Sequence, residues 1–67
     1  MLRPFAGVSP SIHPSAQIDP TAVIIGQVEL AEHVFVLPYV VIRGDVNTIT
    51  IGAHTNIQDG SVLHVEV

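Results

Sequence analysis

Aliphatic residues recur at every sixth position along most of this 67-residue chain. The first series comprises Ile12, Ile18, Ile24, Leu30, Val36 and Ile42, and after one slip of three residues it continues at Ile51, Ile57 and Leu63. Small or β-branched residues lie four positions after each of these, at Ala16, Ala22, Val28, Val34, Val40, Val46, Thr55, Ser61 and Val67. Except at the slip, a member of the second series precedes the next member of the first by two, and residues two apart on a strand share a face. The period therefore predicts two columns of side chains that line one interior.

Residues typical of turns separate the hydrophobic positions. They include Pro14-Ser15, Pro20-Thr21, Gly26-Gln27, Pro38-Tyr39, Gly44-Asp45 and Asp59-Gly60. Proline fixes φ and glycine permits positive φ, so each six-residue unit reads as one short strand and one corner. Three such sides close a triangular coil of 18 residues, and the chain is long enough for about three stacked coils. A helix would need a period of 3.6 and fewer prolines, and an antiparallel meander has no reason for a strict period of six.

The fold prediction is thus all-β, a parallel β-helix in a single partial domain over residues 1–67. Residues 1–11 form a lead-in and residues 12–67 carry the hexapeptide repeats. Sixty-seven residues bury only a marginal core, and without cysteine no disulfide or thiolate metal site reinforces it. We therefore expect partner subunits to support the fold.

Charge and hydropathy exclude several classes of partner. The net charge is -4, and Arg3 and Arg43 are the only basic residues apart from histidine, so binding to nucleic acid is not expected. Proline, glycine, aspartate or histidine interrupts every apolar stretch before it reaches 18 residues, which predicts no membrane span. The N-terminus lacks the long apolar segment of a secretion signal, which predicts a cytoplasmic protein.

The same register predicts an apolar patch on the outside of two adjoining sides. Phe35 and Leu37 point outward on one side, and the next side presents Val23, Ile25, Val41 and Val62. Scattered surface aliphatics are common, but a patch confined to two sides favours burial between copies in a cyclic homo-oligomer. The sequence also ends on a strand with no polar capping coil, which predicts the front portion of a longer protein.

Polar residues gather near the same corner. Arg43 and His64 are separated by one coil plus the three-residue slip, so their side chains should project outward one rung apart. Asp45 follows Arg43 at the corner, and Gln58 and Asp59 approach from the preceding side. A histidine beside carboxylates and an amide is suited to hold a metal ion with a second shell of hydrogen bonds. The simpler alternatives are a surface histidine and an interface salt bridge between Arg43 and Asp45.

Two strings give this cluster a family resemblance. They are V-I-R-G-D at 41–45 and N-I-Q-D-G-S-V-L-H at 56–64, and with the repeats they resemble the N-terminal part of the γ-class carbonic anhydrase-like family, most closely its bacterial hexapeptide-repeat members. The resemblance covers residues 2–67 and implies a left-handed β-helix that forms trimers, with zinc held between subunits by three histidines. It implies that His64 is the first zinc ligand, that Arg43 and Asp45 link subunits, and that Gln58 and Asp59 are the catalytic residues.

The departures from that family limit what the 67 residues can do. The other two zinc histidines of the family lie further along its chain, and His13, His33 and His54 are expected on the wet side or at corners. The acidic residue that follows Arg-Gly-Asp in the archetypal enzyme is Val46 here. We therefore expect an incomplete zinc site and an inactive short chain.

For a full-length parent, the resemblance implies reversible hydration of carbon dioxide, a small-molecule substrate. Two alternatives remain open. One is an acyltransferase or thioesterase of the hexapeptide-repeat superfamily, and the other is a non-catalytic β-helical assembly fragment.

Overall fold

The computed structural model describes residues 1–65, which form short strands joined by tight turns. The strands are β1 (Leu2–Arg3), β2 (Ser11–Ile12), β3 (Gln17–Ile18), β4 (Val23–Leu30), β5 (Phe35–Val36), β6 (Val41–Ile51), β7 (Asn56–Ile57) and β8 (Val62–His64). Every pairing between these strands is parallel. The part of the chain that the structure describes contains no helix of the length and apolarity that a membrane span requires.

Successive coils stack strand on strand. One sheet has the order β1-β4-β6-β8 with β2 also paired to β4, and the other has the order β3-β5-β7. Val23 pairs with Val41 after 18 residues, whereas Val41 pairs with Val62 after 21. These offsets are one triangular coil and one coil with an insertion of three residues. The predicted all-β solenoid of about three coils is confirmed. Leu2 and Arg3, within the predicted lead-in, pair with Ile24 and Ile25.

The two predicted columns form the core of the middle coils. The buried hydrophobic residues are Ala22, Ile24, Val28, Leu30, Val34, Val36, Val40, Ile42, Ile49 and Ile57. Ile12, Ile18, Ile51 and Leu63 are partly buried and pack against this core. Burial is deepest where a coil has neighbours above and below, because each interior side chain then contacts the equivalent residue on both adjacent rungs.

One column assignment is wrong. Val46 was predicted to point inward, but it is 52% exposed, and Ile49 takes its place with 8% exposure. The reason is the position of the insertion: Gly26 still pairs with Gly44, but Val28 pairs with Ile49. The three extra residues therefore lie between Gly44 and Ile49 and carry Val46 out of the column.

Corners are stabilised by hydroxyl side chains of the first coil. The backbone N–H of His33 donates to Oγ of Ser15 (2.9 Å), and that of Tyr39 donates to Oγ1 of Thr21 (2.8 Å). His33 and Tyr39 both have positive φ, 54° and 60°, which non-glycine residues adopt at a cost. The hydrogen bond from the coil below helps to hold each residue in this turn conformation.

Candidate metal centre

The outward side chains of Arg43 and His64 lie on adjacent rungs, as predicted. Arg43 of β6 and His64 of β8 are register partners in the parallel ladder. Nη2 of Arg43 lies 3.0 Å from Nε2 of His64. Because a guanidinium only donates hydrogen bonds, the imidazole must accept through Nε2, which makes His64 neutral with its proton on Nδ1. His64 therefore presents the lone pair that a metal ion would need.

Asp45 joins the two residues into one cluster. Its Oδ2 lies 3.2 Å from Nε of Arg43, and its Oδ1 lies 3.4 Å from Nε2 of His64. The first contact is an ion pair. The second is not, because Nε2 of His64 already accepts from Arg43 and carries no proton to donate. Within residues 1–65, Oδ1 of Asp45 is consequently a buried carboxylate oxygen without a hydrogen-bond partner.

Gly44 determines how closely Arg43 and Asp45 approach the coil beneath them. Gly44 is buried and pairs with Gly26. A Cβ at this position would overlap the carbonyl oxygen of Gln27 and lie 2.8 Å from its carbonyl carbon. Glycine is thus required at the middle position of Arg-Gly-Asp for a packing reason, since only a residue without a side chain lets the chain turn this tightly over the lower coil.

Gln58 and Asp59 lie at a different corner. Asp59 and Gly60 form the turn before β8, and the backbone N–H of Ser61 closes it on the carbonyl of Gln58. Both side chains are exposed. In the described part of the chain, neither forms a hydrogen bond or ion pair with Arg43, Asp45 or His64. The structure thus brings together three of the five predicted site residues and leaves the other two apart within one subunit.

The remaining histidines lie away from this cluster. His33 and His54 stack at a turn with ring centroids 5.0 Å apart, and both have positive φ. Nδ1 of His13 accepts the backbone N–H of Ser15 at 3.1 Å. These positions agree with the prediction that the three histidines lie at corners or on the solvent-exposed side.

The cluster supplies only part of the donor set that zinc requires. Over residues 1–65 no group of three or more His, Cys, Asp or Glu side chains is placed to hold a metal ion. Nε2 of His64 and the orphaned Oδ1 of Asp45 are nevertheless two donors of types that zinc binds. Three protein ligands are usual in a catalytic zinc site, so these residues fit part of one.

The predicted outer patch is present and includes a shallow cleft. Phe35 is 40% exposed and Val62 is 68% exposed, whereas Leu37 and Val41 are half-buried. Gln17, Ile18, Asp19, Phe35, Val36, Leu37 and Pro38 line a cleft of about 220 Å³. The apolar surface therefore extends over the face of the β3-β5-β7 sheet and onto the neighbouring side.

No protein-family model matches the chain. Among solved structures, a hexapeptide transferase family protein from Anaplasma phagocytophilum superimposes with a TM-score of 0.90 and 46% sequence identity, over 91% of this chain and 37% of that one. The chain therefore has the fold of a hexapeptide-repeat protein.

Two curated proteins are also similar to this chain in sequence. Protein YrdA of Escherichia coli K12 is 54% identical over 65 residues, which are 97% of this chain and 35% of YrdA. Carnitine operon protein CaiE of Proteus sp. is 43% identical over 60 residues, which are 90% of this chain and 30% of CaiE. The chain thus spans about a third of the length of these relatives.

Sequence reasoning did not foresee two features of the cluster. One is the hydrogen bond between Arg43 and His64, and the other is the approach of Asp45 to Nε2 of His64. The three-residue slip indicated that the chain departs from a regular coil somewhere between Ile42 and Ile51. Only the register of β4 and β6 shows that the departure begins directly after Gly44, at Asp45. Asp45 is itself one of the predicted site residues.

Proposed function

We propose that this hexapeptide-repeat segment is the N-terminal part of a γ-class carbonic anhydrase-like zinc protein whose reaction is the reversible hydration of carbon dioxide. The observation that carries the proposal is the cluster at the Gly44 corner. It combines a neutral histidine, whose Nε2 accepts from Arg43 at 3.0 Å, with a buried carboxylate oxygen 3.4 Å from the same nitrogen. Neutral imidazole and carboxylate are the protonation states in which these groups bind zinc.

In this proposal His64 is one of three zinc ligands, and the other two come from a later part of the full-length protein. A bound zinc ion supplies a Lewis acid that lowers the pKa of a water molecule to near neutrality. Arg43 and Asp45 hold each other through their ion pair and position His64. Gln58 and Asp59 are proposed catalytic residues that orient water or substrate. Because they lie at another corner of the same subunit, they would act on the site of a neighbouring copy.

The proposal includes a homotrimer. Phe35 and Val62 expose large apolar side chains on adjoining sides, and a cyclic assembly would cover both. Arg43 is 46% exposed on its side chain, which leaves guanidinium nitrogens available to a second subunit. The same contact between copies would place Gln58 of one subunit against the His64 cluster of the next.

A chimaera tests the metal site. The 65 residues of this chain that align with YrdA replace the matching segment of YrdA, and the rest of YrdA completes the chimaera. After dialysis, elemental analysis is expected to find close to one zinc per chain in the chimaera and much less in its His64→Ala variant. Carbon dioxide hydration should follow the zinc content. Equal zinc in the two proteins would contradict the assignment of His64 as a ligand.

Acyl transfer is the second candidate, and one observation favours it. The Anaplasma phagocytophilum protein that superimposes on this chain is described as a hexapeptide transferase family protein. The same chimaera separates the two reactions. Transfer or hydrolysis of an acyl thioester without carbon dioxide hydration would favour the transferase or thioesterase. A folded trimer without either activity would favour a non-catalytic assembly module.

A further inference from the structure

Asp19 carries a carboxylate that has no cationic partner among residues 1–65 of its own subunit. Its Oδ2 accepts the side-chain hydroxyl of Thr21 at 2.5 Å and the backbone N–H of Thr21 at 2.9 Å, and these two hydrogen bonds lower the pKa of the Asp19 carboxyl. Oδ1 of Asp19 forms no hydrogen bond in the described part of the chain. Asp19 is therefore an ionised carboxylate that Thr21 orients, with one oxygen left for a partner.

This carboxylate borders the shallow cleft on the face of the β3-β5-β7 sheet. Besides Gln17, the rest of the wall is apolar and consists of Ile18, Phe35, Val36, Leu37 and Pro38. The cleft volume of about 220 Å³ is below the range of about 300–1,000 Å³ that is usual for small-molecule pockets. A single arginine side chain suits the cleft better, because its aliphatic stem packs on apolar surface while its guanidinium pairs with a carboxylate and stacks on an aromatic ring such as Phe35.

Arg3 is the arginine that remains for such a contact. The only Lys or Arg residues of the sequence are Arg3 and Arg43, and Arg43 already forms an ion pair with Asp45. Nε of Arg3 contacts the sulfur of Met1 at 2.9 Å, and within residues 1–65 Arg3 pairs with no carboxylate. Met1 and Phe5, close to Arg3 in sequence, are 59% and 47% exposed. A cation among exposed apolar side chains complements a carboxylate beside an apolar cleft.

Arg3 and Asp19 lie at similar heights along the solenoid but in different sheets. Arg3 pairs with Ile25, which follows Asp19 by six residues, and it belongs to the outward column that continues to Arg43 and His64. Successive rungs are about 4.8 Å apart, so the heights of Arg3 and Asp19 differ by less than about one rung. Rotation about an axis parallel to the solenoid leaves heights unchanged. A cyclic assembly of this kind can therefore bring the Arg3 column of one copy against the cleft of the next.

We propose that the cleft beside Asp19 receives Arg3 of a second copy of this chain, so that each subunit donates one guanidinium and accepts another. The contact joins two different surfaces and is closed by a ring of copies. The inference rests on the proposed function in one respect, the homotrimer, and it names the contact that sets the relative height of the subunits. It makes no use of the cluster around His64.

Charge reversal in the 67-residue chain tests the contact, with assembly measured by sedimentation velocity over a range of concentrations. Arg3→Glu and Asp19→Arg each place like charges at every contact, and each should raise the concentration of half-assembly at least about tenfold. Asp19→Asn keeps an acceptor for Thr21 but removes the charge, so it should weaken assembly by a smaller factor. The matched control is Glu32→Arg, which makes the same charge change as Asp19→Arg at an exposed turn outside the cleft and should assemble like wild type. Circular dichroism confirms that each variant is folded.

Mixing the two reversed chains shows whether the contact joins two copies. In an equimolar mixture, the new carboxylate of the Arg3→Glu chain meets the new guanidinium of the Asp19→Arg chain, while the unchanged Arg3 and Asp19 of the two chains form the wild-type contact. The mixture should therefore assemble at a lower concentration than either variant alone. If it does not, or if both reversed variants assemble like Glu32→Arg, the inference is wrong and the proposed trimer stands. If the wild-type chain does not assemble at tens of micromolar, the proposed trimer fails along with the inference.

Discussion

Substitution of Gly44 by alanine is expected to destabilise the fold more than its single added methyl group suggests. The new Cβ would overlap the carbonyl oxygen of Gln27 and lie 2.8 Å from its carbonyl carbon and 3.2 Å from the carbonyl oxygen of Asn47. All three atoms belong to the backbone, so no side chain can rotate away. Relief requires the upper coil to separate from the lower one at this corner, between Arg43 and Asp45.

The cost is set by this backbone overlap. Overpacking a core by a methylene costs typically 1–3 kcal/mol, and we expect about 3 kcal/mol here because neither partner can yield locally. For a domain of this size, 1 kcal/mol shifts the melting temperature by about 4–8 °C, so Gly44→Ala should melt roughly 12–24 °C below wild type. Circular dichroism at one fixed protein concentration measures the shift, because self-association makes the melting temperature depend on concentration.

Gly52 is the matched control. It directly follows β6, the strand that contains Gly44. Its φ is not positive, and a Cβ at this position would meet no atom within 4 Å. Gly52→Ala should therefore leave stability within about 1 kcal/mol of wild type, or raise it slightly by restricting the unfolded chain. If Gly44→Ala and Gly52→Ala melt at the same temperature, the close packing of the corner over Gln27 is not what requires glycine in the Arg-Gly-Asp string.

Three further predictions concern the core, a corner and the outer face. Ile42→Asp buries a carboxylate at a position with 0% exposure, which should cost several kcal/mol and leave no cooperative melt; a wild-type melt would contradict the inward column. The side-chain and backbone hydrogen bonds from Thr21 lower the pKa of Asp19 below 3.8, so their contribution to stability holds above about pH 4 and fades as pH falls through the lowered value. Thr21→Ala should raise that pKa in an NMR titration, whereas an unchanged value would show that the hydroxyl has no such effect. Phe35→Ser should weaken self-association, measured by light scattering at tens of micromolar, and a wild-type chain that is a clean monomer there would refute the proposed interface.

Much of the fold follows from the sequence because the repeat is set by the order of residues along the chain. An aliphatic side chain recurs every six residues, and prolines and glycines lie between these positions. This spacing specifies where strands and corners alternate without reference to any distant contact. The inward column from Ile24 to Ile42 was predictable for that reason. So was the adjacency of Arg43 and His64, since one coil plus the slip separates them in sequence.

The location of the slip was beyond the sequence. A shift of three residues between Ile42 and Ile51 is visible in the pattern, but Val46 and Ile49 are both β-branched and suit the interior equally. Pairing with Val28 decides between them, and Ile49 is the partner that packs under the next coil. Val46 is left outside, among the residues of β6 between Gly44 and Ile49 that hold the insertion.

The site shows the same division. The sequence by itself predicted the candidate site residues and the column that Arg43 and His64 share, and the register of β6 and β8 confirms the column. Only the tertiary structure decided that Arg43 donates to Nε2 of His64 and that Asp45 turns back towards the same atom, leaving one buried oxygen without a partner. The physical reason is that a repeat fixes the path of the backbone, whereas hydrogen bonds between side chains depend on distances of a few tenths of an ångström set by packing between coils.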